Sequence, residues 1–231
     1  YEKMLGEDAK AIEDKLELYI PNGPRLGNEV IEAQNVSKGY GDRLLYENLN
    51  FKLPPAGIVG IIGPNGCGKS SLLLALAGDL KLASGEIFID EKNLQDLSDL
   101  AQSHLRSMAL QERTFWLPMT VREVLALGQS DVAIKSIDQV ANDLGLTELL
   151  NNLVTTLSVG QIQRVEIART LLRDCPIYLF DEPFAAQDLA SKGILIEIFK
   201  RLRSSGKTIV LVVHSEVEQL AWCDQVIQLG S

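Results

Sequence analysis

Gly63-Pro64-Asn65-Gly66-Cys67-Gly68-Lys69-Ser70 carries glycine at its first, fourth and sixth positions and closes on a lysine and a hydroxyl residue. The spacing is that of a phosphate-binding loop. Its surroundings fit. The apolar run Ile58 to Ile62 reads as a buried strand entering the loop, and the apolar pattern Ser70 to Leu80 reads as a helix leaving it. Glycine lets successive backbone N–H groups turn toward phosphate oxygens, and the start of the helix adds its dipole. Lys69 is then placed to reach the β and γ phosphates of a nucleotide, and the Ser70 hydroxyl to ligate magnesium. Gly63, Pro64, Asn65, Gly66, Cys67, Gly68 and Ser71 complete the expected cradle.

Further along, Ile177-Tyr178-Leu179-Phe180-Asp181-Glu182 is an apolar strand ending in two carboxylates. Ligands of open α/β folds bind at the carboxyl ends of the strands, so both acids are expected beside the loop. Asp181 is expected to hold magnesium through its water shell, and Glu182 to orient or deprotonate an attacking water. Another buried strand, Thr208 to Val213, follows a helix from about Ala190 to Ser204. Upstream, Val30 to Val36, the turn Tyr40-Gly41-Asp42-Arg43 and Leu44 to Leu53 read as strand, turn and strand. Between the loop and the acids, helical patterns run over Val121 to Leu127, Ile134 to Asp143 and Gly160 to Leu172. This alternation predicts an α/β fold: a parallel-sheet core with an antiparallel β subdomain and a helical subdomain over about 113–173.

The 231 residues carry a formal net charge of −9, which disfavours broad contact with a phosphate backbone; neither nucleic acid nor a ribosome is an expected partner. No apolar run approaches the roughly 20 residues of a membrane-spanning helix. The chain is therefore expected to be cytoplasmic and to reach a membrane only through a partner, without direct insertion. Cys67, Cys175 and Cys223 are odd in number and widely spaced, and read as reduced thiols rather than a disulfide framework or zinc site. With only His104 and His214 as imidazoles, a metal must be held by oxygen, which suits magnesium. At the N-terminus, Leu5, Ile12, Leu16 and Tyr19 can share one helix face before the breaker Pro21-Asn22-Gly23-Pro24. Residues 1–29 thus read as an amphipathic helix and linker, or as a tail of little function, and 30–231 as the main domain.

Leu157-Ser158-Val159-Gly160-Gln161 resembles the LSGGQ signature that separates ATP-binding cassette (ABC) ATPases from other phosphate-loop proteins. The rest of that family's pattern stands in register. Tyr40 resembles the aromatic residue that stacks on adenine, and Gln111 the glutamine that senses magnesium and the γ-phosphate. Asp188 resembles the D-loop aspartate, and His214 the switch histidine at the γ-phosphate. Together these cover nearly all of Val30 to Leu229. The resemblance implies a RecA-like P-loop NTPase core with the ABC helical subdomain, and hydrolysis of Mg-ATP in a head-to-tail homodimer. In such a dimer Ser158, Gly160 and Gln161 of one chain face the γ-phosphate bound by the other. Transmembrane permease subunits are the implied partners, with the cassette peripheral at the inner face of the membrane.

Plainer readings stand beside these. Tyr40 also reads as a turn aromatic, Gln111 as a solvated glutamine after a strand, and His214 as a strand-end histidine. Cys67 reads as a small residue or as an oxidisable thiol, and His104 has no role. Val159 stands where the signature has its first glycine; a β-branched residue is strained there if the position needs positive φ, and the composite site would then be weakened. The absence of an Asn-Lys-x-Asp guanine motif argues against a GTPase.

The two halves resemble different branches. Residues 1–66, through Ile20-Pro21-Asn22-Gly23-Pro24-Arg25-Leu26-Gly27, the Tyr40 to Arg43 turn and Gly57 to Gly63, resemble the second cassette of an ABC-F translational-throttle protein. Residues 67–231, through Leu117 to Glu123, Gln161 and Phe184-Ala185-Ala186-Gln187-Asp188, resemble the ATPase of a bacterial haem or iron-siderophore importer. A chimera joined within Gly63 to Gly66 is one reading, and a single unusual natural protein the other. Chromosome-maintenance ATPases insert a long coiled coil between loop and signature, and translation factors pair two cassettes through a basic linker. Neither feature is present, which favours transport coupling.

Overall fold

The structure, a computed structural model, describes residues 31–41, 43–110 and 118–230. The expected N-terminal helix and linker, Gln111 and the first residues of the helical subdomain lie outside the described residues. The chain opens on antiparallel strands β1 (Ile31–Tyr40) and β2 (Arg43–Leu53), paired from Ile31 opposite Leu53 to Tyr40 opposite Arg43. Strand β3 (Ile58–Ile62) leads through the glycine-rich loop into helix α1 (Lys69–Leu76). Strand β4 (Ser84–Ile89) then returns antiparallel beside β1, followed by β5 (Lys92–Asn93), which gives a four-stranded sheet of order β2-β1-β4-β5.

Helix α2 (Asp99–Leu105) runs into β6 (Arg106–Ala109). The middle of the chain is helical: α3 (Val121–Ala126), α4 (Asp131–Lys135), α5 (Ile137–Asp143) and α6 (Val159–Leu171). It is followed by β7 (Ile177–Asp181), α7 (Leu189–Ser204), β8 (Thr208–Val212) and β9 (Gln225–Gln228). Strands β6-β7-β8-β3-β9 form a second, wholly parallel sheet.

The continuous apolar runs of β3, β7 and β8 are explained by burial on both faces, as parallel strands require. Side chains alternate across the sheet. Tyr178, Phe180, Ile209 and Leu211 join the apolar faces of the α3 to α7 helices. On the other face Leu179, Val210, Val59 and Ile61 pack with Leu72 and Leu76 of α1 and with Ile31, Leu53 and Ile89 of the antiparallel sheet. The central strands are thus locked between two layers, and their carboxyl ends emerge together: β3 at Gly63, β7 at Asp181 and β8 at Val213.

The expected α/β fold with its antiparallel and helical parts is present, but several elements differ in extent. The helix expected over Ser70 to Leu80 ends at Leu76, where Gly78 takes a left-handed φ of 76° and turns the chain out. The pattern Ile134 to Asp143 breaks at Ser136 into two helices; Ala133 and Ile137 enter the core while Ile134 faces outward, so the apparent single stripe is not one face. After His214 the chain forms one 3-10 turn, Val217–Leu220. Among the described residues no helix is long and apolar enough to cross a membrane.

Candidate functional site

The loop after β3 is held open by its neighbours. Gly63 and Gly68 take φ of 148° and 100°, a region that side-chain-bearing residues rarely enter. A Cβ on Gly63 would strike the Leu229 carbonyl, and one on Gly68 would sit 3.0 Å from Leu45 and 3.1 Å from Tyr46. The ends of β9 and β2 therefore clasp the loop from two sides. Lys69, 5% exposed, donates from Nζ to the carbonyls of Gly63 at 2.8 Å and Pro64 at 3.0 Å. Arg43 at the start of β2 donates to the Gly66 carbonyl at 2.9 Å. Arg43 closes the Tyr40 to Arg43 turn, and its support of the loop shows only in the folded chain.

The acids stand where the strand predicts them. Ser70 Oγ donates to Asp181 Oδ1 at 3.1 Å across the first turn of α1. Burial pushes the Asp181 carboxyl above its usual range and the Glu182 charge adds to this, while the Ser70 hydrogen bond, Lys69 and His214 oppose it. Glu182 lies just beyond β7 at φ 51°, a strained conformation for a residue with a side chain. Its N–H donates to Val212 at 2.9 Å, and its carboxylate Oε1 lies 2.6 Å from His214 Nε2. These two residues close one end of an open cleft of about 620 Å³, in the size range of small-molecule sites. Tyr40, Arg43, Asn65, Gly66, Lys69 and Ser71 line the rest. The Tyr40 ring is half exposed, with Lys38 Nζ 4.7 Å from its centre.

Three loop residues have neighbours outside the cleft. Gly63 and Pro64 open onto a neighbouring hollow shared with Val213, His214 and Ser215. Cys67 turns toward Gly63 and Gly230 and packs on the apolar layer below.

The signature residues do not reach this cleft within one chain. Ser158 caps α6: its Oγ accepts from the Gln161 N–H at 3.3 Å, and Gln161 Oε1 accepts from the Ser158 N–H at 2.8 Å. Val159 is the first helical residue, is 74% exposed and is not among the residues of positive φ, so the strain expected there is absent: at the first turn of a helix any side chain can point outward. Gly160 does need its lack of a side chain, because a Cβ would lie 2.6 Å from the Ala186 carbonyl. Asp188 caps α7 by accepting from the Ser191 N–H at 2.7 Å, which holds its carboxyl below the usual range.

Among the described residues no group of three His, Cys, Asp or Glu side chains could hold a metal alone. Ser70 and Asp181 present two adjacent oxygens instead. That donor set fits magnesium, which keeps several waters and takes its remaining ligands from substrate phosphates.

Residues 46–185 match the family model described as ABC transporter. The match includes residues on both sides of Gly63 to Gly66. The chain is 32% identical over 208 residues to the maltose/maltodextrin import ATP-binding protein MalK of Escherichia coli strain K12, covering 87% of this chain and 56% of that protein. It spans about half the length of the curated relatives it matches. Two solved structures share the fold. One is a nucleotide-free ATP-binding cassette from an ABC transporter (TM-score 0.76, 21% identity, 87% of each chain). The other is a bacterial Atm1-family ABC exporter with ATP bound (TM-score 0.80, 24% identity, 98% of this chain and 42% of that one).

Proposed function

This chain belongs to the ABC transporter family as one of its ATP-binding cassettes, and on that premise we propose that it binds Mg-ATP in the cleft, hydrolyses it to ADP and phosphate in a head-to-tail homodimer, and so drives a membrane transporter. The observation that carries this reading is the meeting of Ser70 with Asp181 and of Glu182 with His214 at the ends of neighbouring strands. Lys69 and the loop N–H groups bind the phosphates, and Tyr40 offers its ring to the base. Magnesium, when bound beside Ser70 and Asp181, neutralises charge on the phosphate oxygens. Glu182 accepts the proton of the attacking water, and His214 holds the Glu182 carboxylate in place while facing the γ-phosphate.

Ser158, Gly160 and Gln161 lie outside the cleft of their own chain, which supports their serving the cleft of a second copy, with Asp188 near the joint. Gln111 acts as the magnesium and γ-phosphate sensor. The cassette spans 30–231, with residues 1–29 as an attached helix and linker. Its helical subdomain, about 113–173, is the part that meets a permease, which places the protein at the inner face of the membrane. Phosphate release by the purified chain tests the chemistry. Glu182→Gln should lower turnover by about a hundredfold or more while Mg-ATP still binds; undiminished turnover would remove Glu182 from its role.

A further inference from the structure

The backbone of Glu182 has a cost that its own strand does not explain. At φ 51° Glu182 stands in the left-handed region, which disfavours a residue with a side chain, and Ala186, four residues on, has φ 54°. A segment strained at both positions persists only if its surroundings hold it. What holds it is a chain of two glutamine amides rooted in α6. Gln163, 8% exposed in the second turn of α6, donates from Nε2 to the Glu182 carbonyl at 2.7 Å. The same carbonyl accepts from the Ala185 N–H at 3.0 Å, so both of its lone pairs are used. Gln163 Oε1 accepts from Gln187 Nε2 at 2.9 Å, and Gln187 Nε2 also donates to the Gly160 carbonyl at 3.0 Å.

The amide orientations are mutually determined. Turning Gln163 over would set its oxygen against the Glu182 carbonyl and its NH₂ against that of Gln187, losing both bonds. Close packing reinforces the chain, since the Ala186 carbonyl oxygen lies only 2.6 Å from where a Cβ of Gly160 would be.

We propose that Gln163 and Gln187 are positioning residues: together they fix the backbone of Glu182 against the first turns of α6, and so set where its carboxylate stands for hydrolysis. The proposal rests on the reading of Glu182 as the group that accepts the proton from water. Neither glutamine touches the cleft, and neither is placed to bind ATP. Because Ser158 and Gly160 occupy the first turn of the same helix, the network also ties the position of Glu182 to the turn that would face the partner's nucleotide.

Gln163→Met and Gln187→Met keep side-chain length and remove the amides. The purified full chain is assayed for Mg-ATP turnover, for Mg-ATP affinity by calorimetry and for amide hydrogen exchange. Each variant should lower kcat about tenfold, with KM and affinity within about twofold. The double variant should fall no further than the worse single one, because the pair acts as a unit. Exchange should quicken over residues 182–188 and stay unchanged in β8. Unchanged kcat in both variants, with Glu182→Gln inactive, would overturn this proposal alone. In a folded variant, a loss of kcat matched by an equal loss of Mg-ATP affinity would also overturn it. Undiminished turnover in Glu182→Gln would overturn the reading of Glu182, and the positioning role with it. Should Gln163→Met fail to fold, Gln187→Met, at a partly exposed position, decides the matter.

Discussion

Glu182 Oε1 and His214 Nε2 lie 2.6 Å apart across the ends of adjacent parallel strands, and the N–H of Glu182 is tied to Val212, two residues before that histidine. The register of β7 against β8 therefore sets the pair, and a shift of one residue would separate it. His214→Ala is expected to reduce turnover roughly ten- to a hundredfold with little change in Mg-ATP affinity. Thermal unfolding should barely move, since the His214 side chain is about half exposed and buries little. Kinetics and calorimetry on one preparation separate these effects.

Lys69 serves two purposes, as the expected phosphate ligand and as the donor that closes the loop on Gly63 and Pro64. Lys69→Ala removes a buried ammonium and leaves those two carbonyls to find other donors. Mg-ATP affinity is expected to fall about a hundredfold or more, as loss of a charge-assisted contact in a confined site implies. Calorimetric titration checks this, and unchanged affinity would detach Lys69 from the phosphates.

Neighbouring signature residues should respond to substitution very unequally. Val159→Gly removes an exposed side chain from the first helical position and should destabilise by no more than about 1 kcal/mol, with turnover within about twofold. Gly160→Ala drives a methyl into the Ala186 carbonyl and disturbs the segment that carries Glu182. It should cost about 1–3 kcal/mol and most of the turnover. Denaturation midpoints and phosphate release for the two variants test the contrast.

Much of this site is legible in the residues themselves. The glycine-rich loop and the strand ending in Asp181-Glu182 name their chemistry because it depends on local spacing, and the parallel sheet then brings their ends together. The apolar runs of β3, β7 and β8 are equally plain, since strands buried on both faces leave no polar alternation to misread. Short strands are harder. Arg106–Ala109 has no β-branched residue, and Gln225–Gln228 is polar at both ends, so each is a strand only because the sheet offers it a partner. Arg43, Gln163 and Gln187 were illegible for another reason: their roles consist of hydrogen bonds to backbone carbonyls of distant segments, and such partners leave no mark in spacing or composition.

Two thiols should make the fold sensitive to alkali. Burial pushes Cys175 up to about 11 and Cys223 up to about 12, from an ordinary value of 9.0. The folded chain therefore disfavours the thiolate. This contribution is intact below about pH 9 and is lost as pH rises toward the folded values, because the unfolded chain ionises first. Urea midpoints should fall between about pH 8 and about pH 10.5, and Cys175→Ala should lessen that fall. An equal fall in the variant would assign the alkaline loss to other groups.

The most direct measurement is ATP turnover per chain against protein concentration, with Glu182→Gln alongside. A cleft completed by the Ser158 to Gln161 turn of a second copy predicts a rate per chain that rises with concentration, levels off once pairs dominate, and disappears in the variant. A rate independent of concentration would contradict the composite site, and one untouched by Glu182→Gln would contradict the role of Glu182 in it.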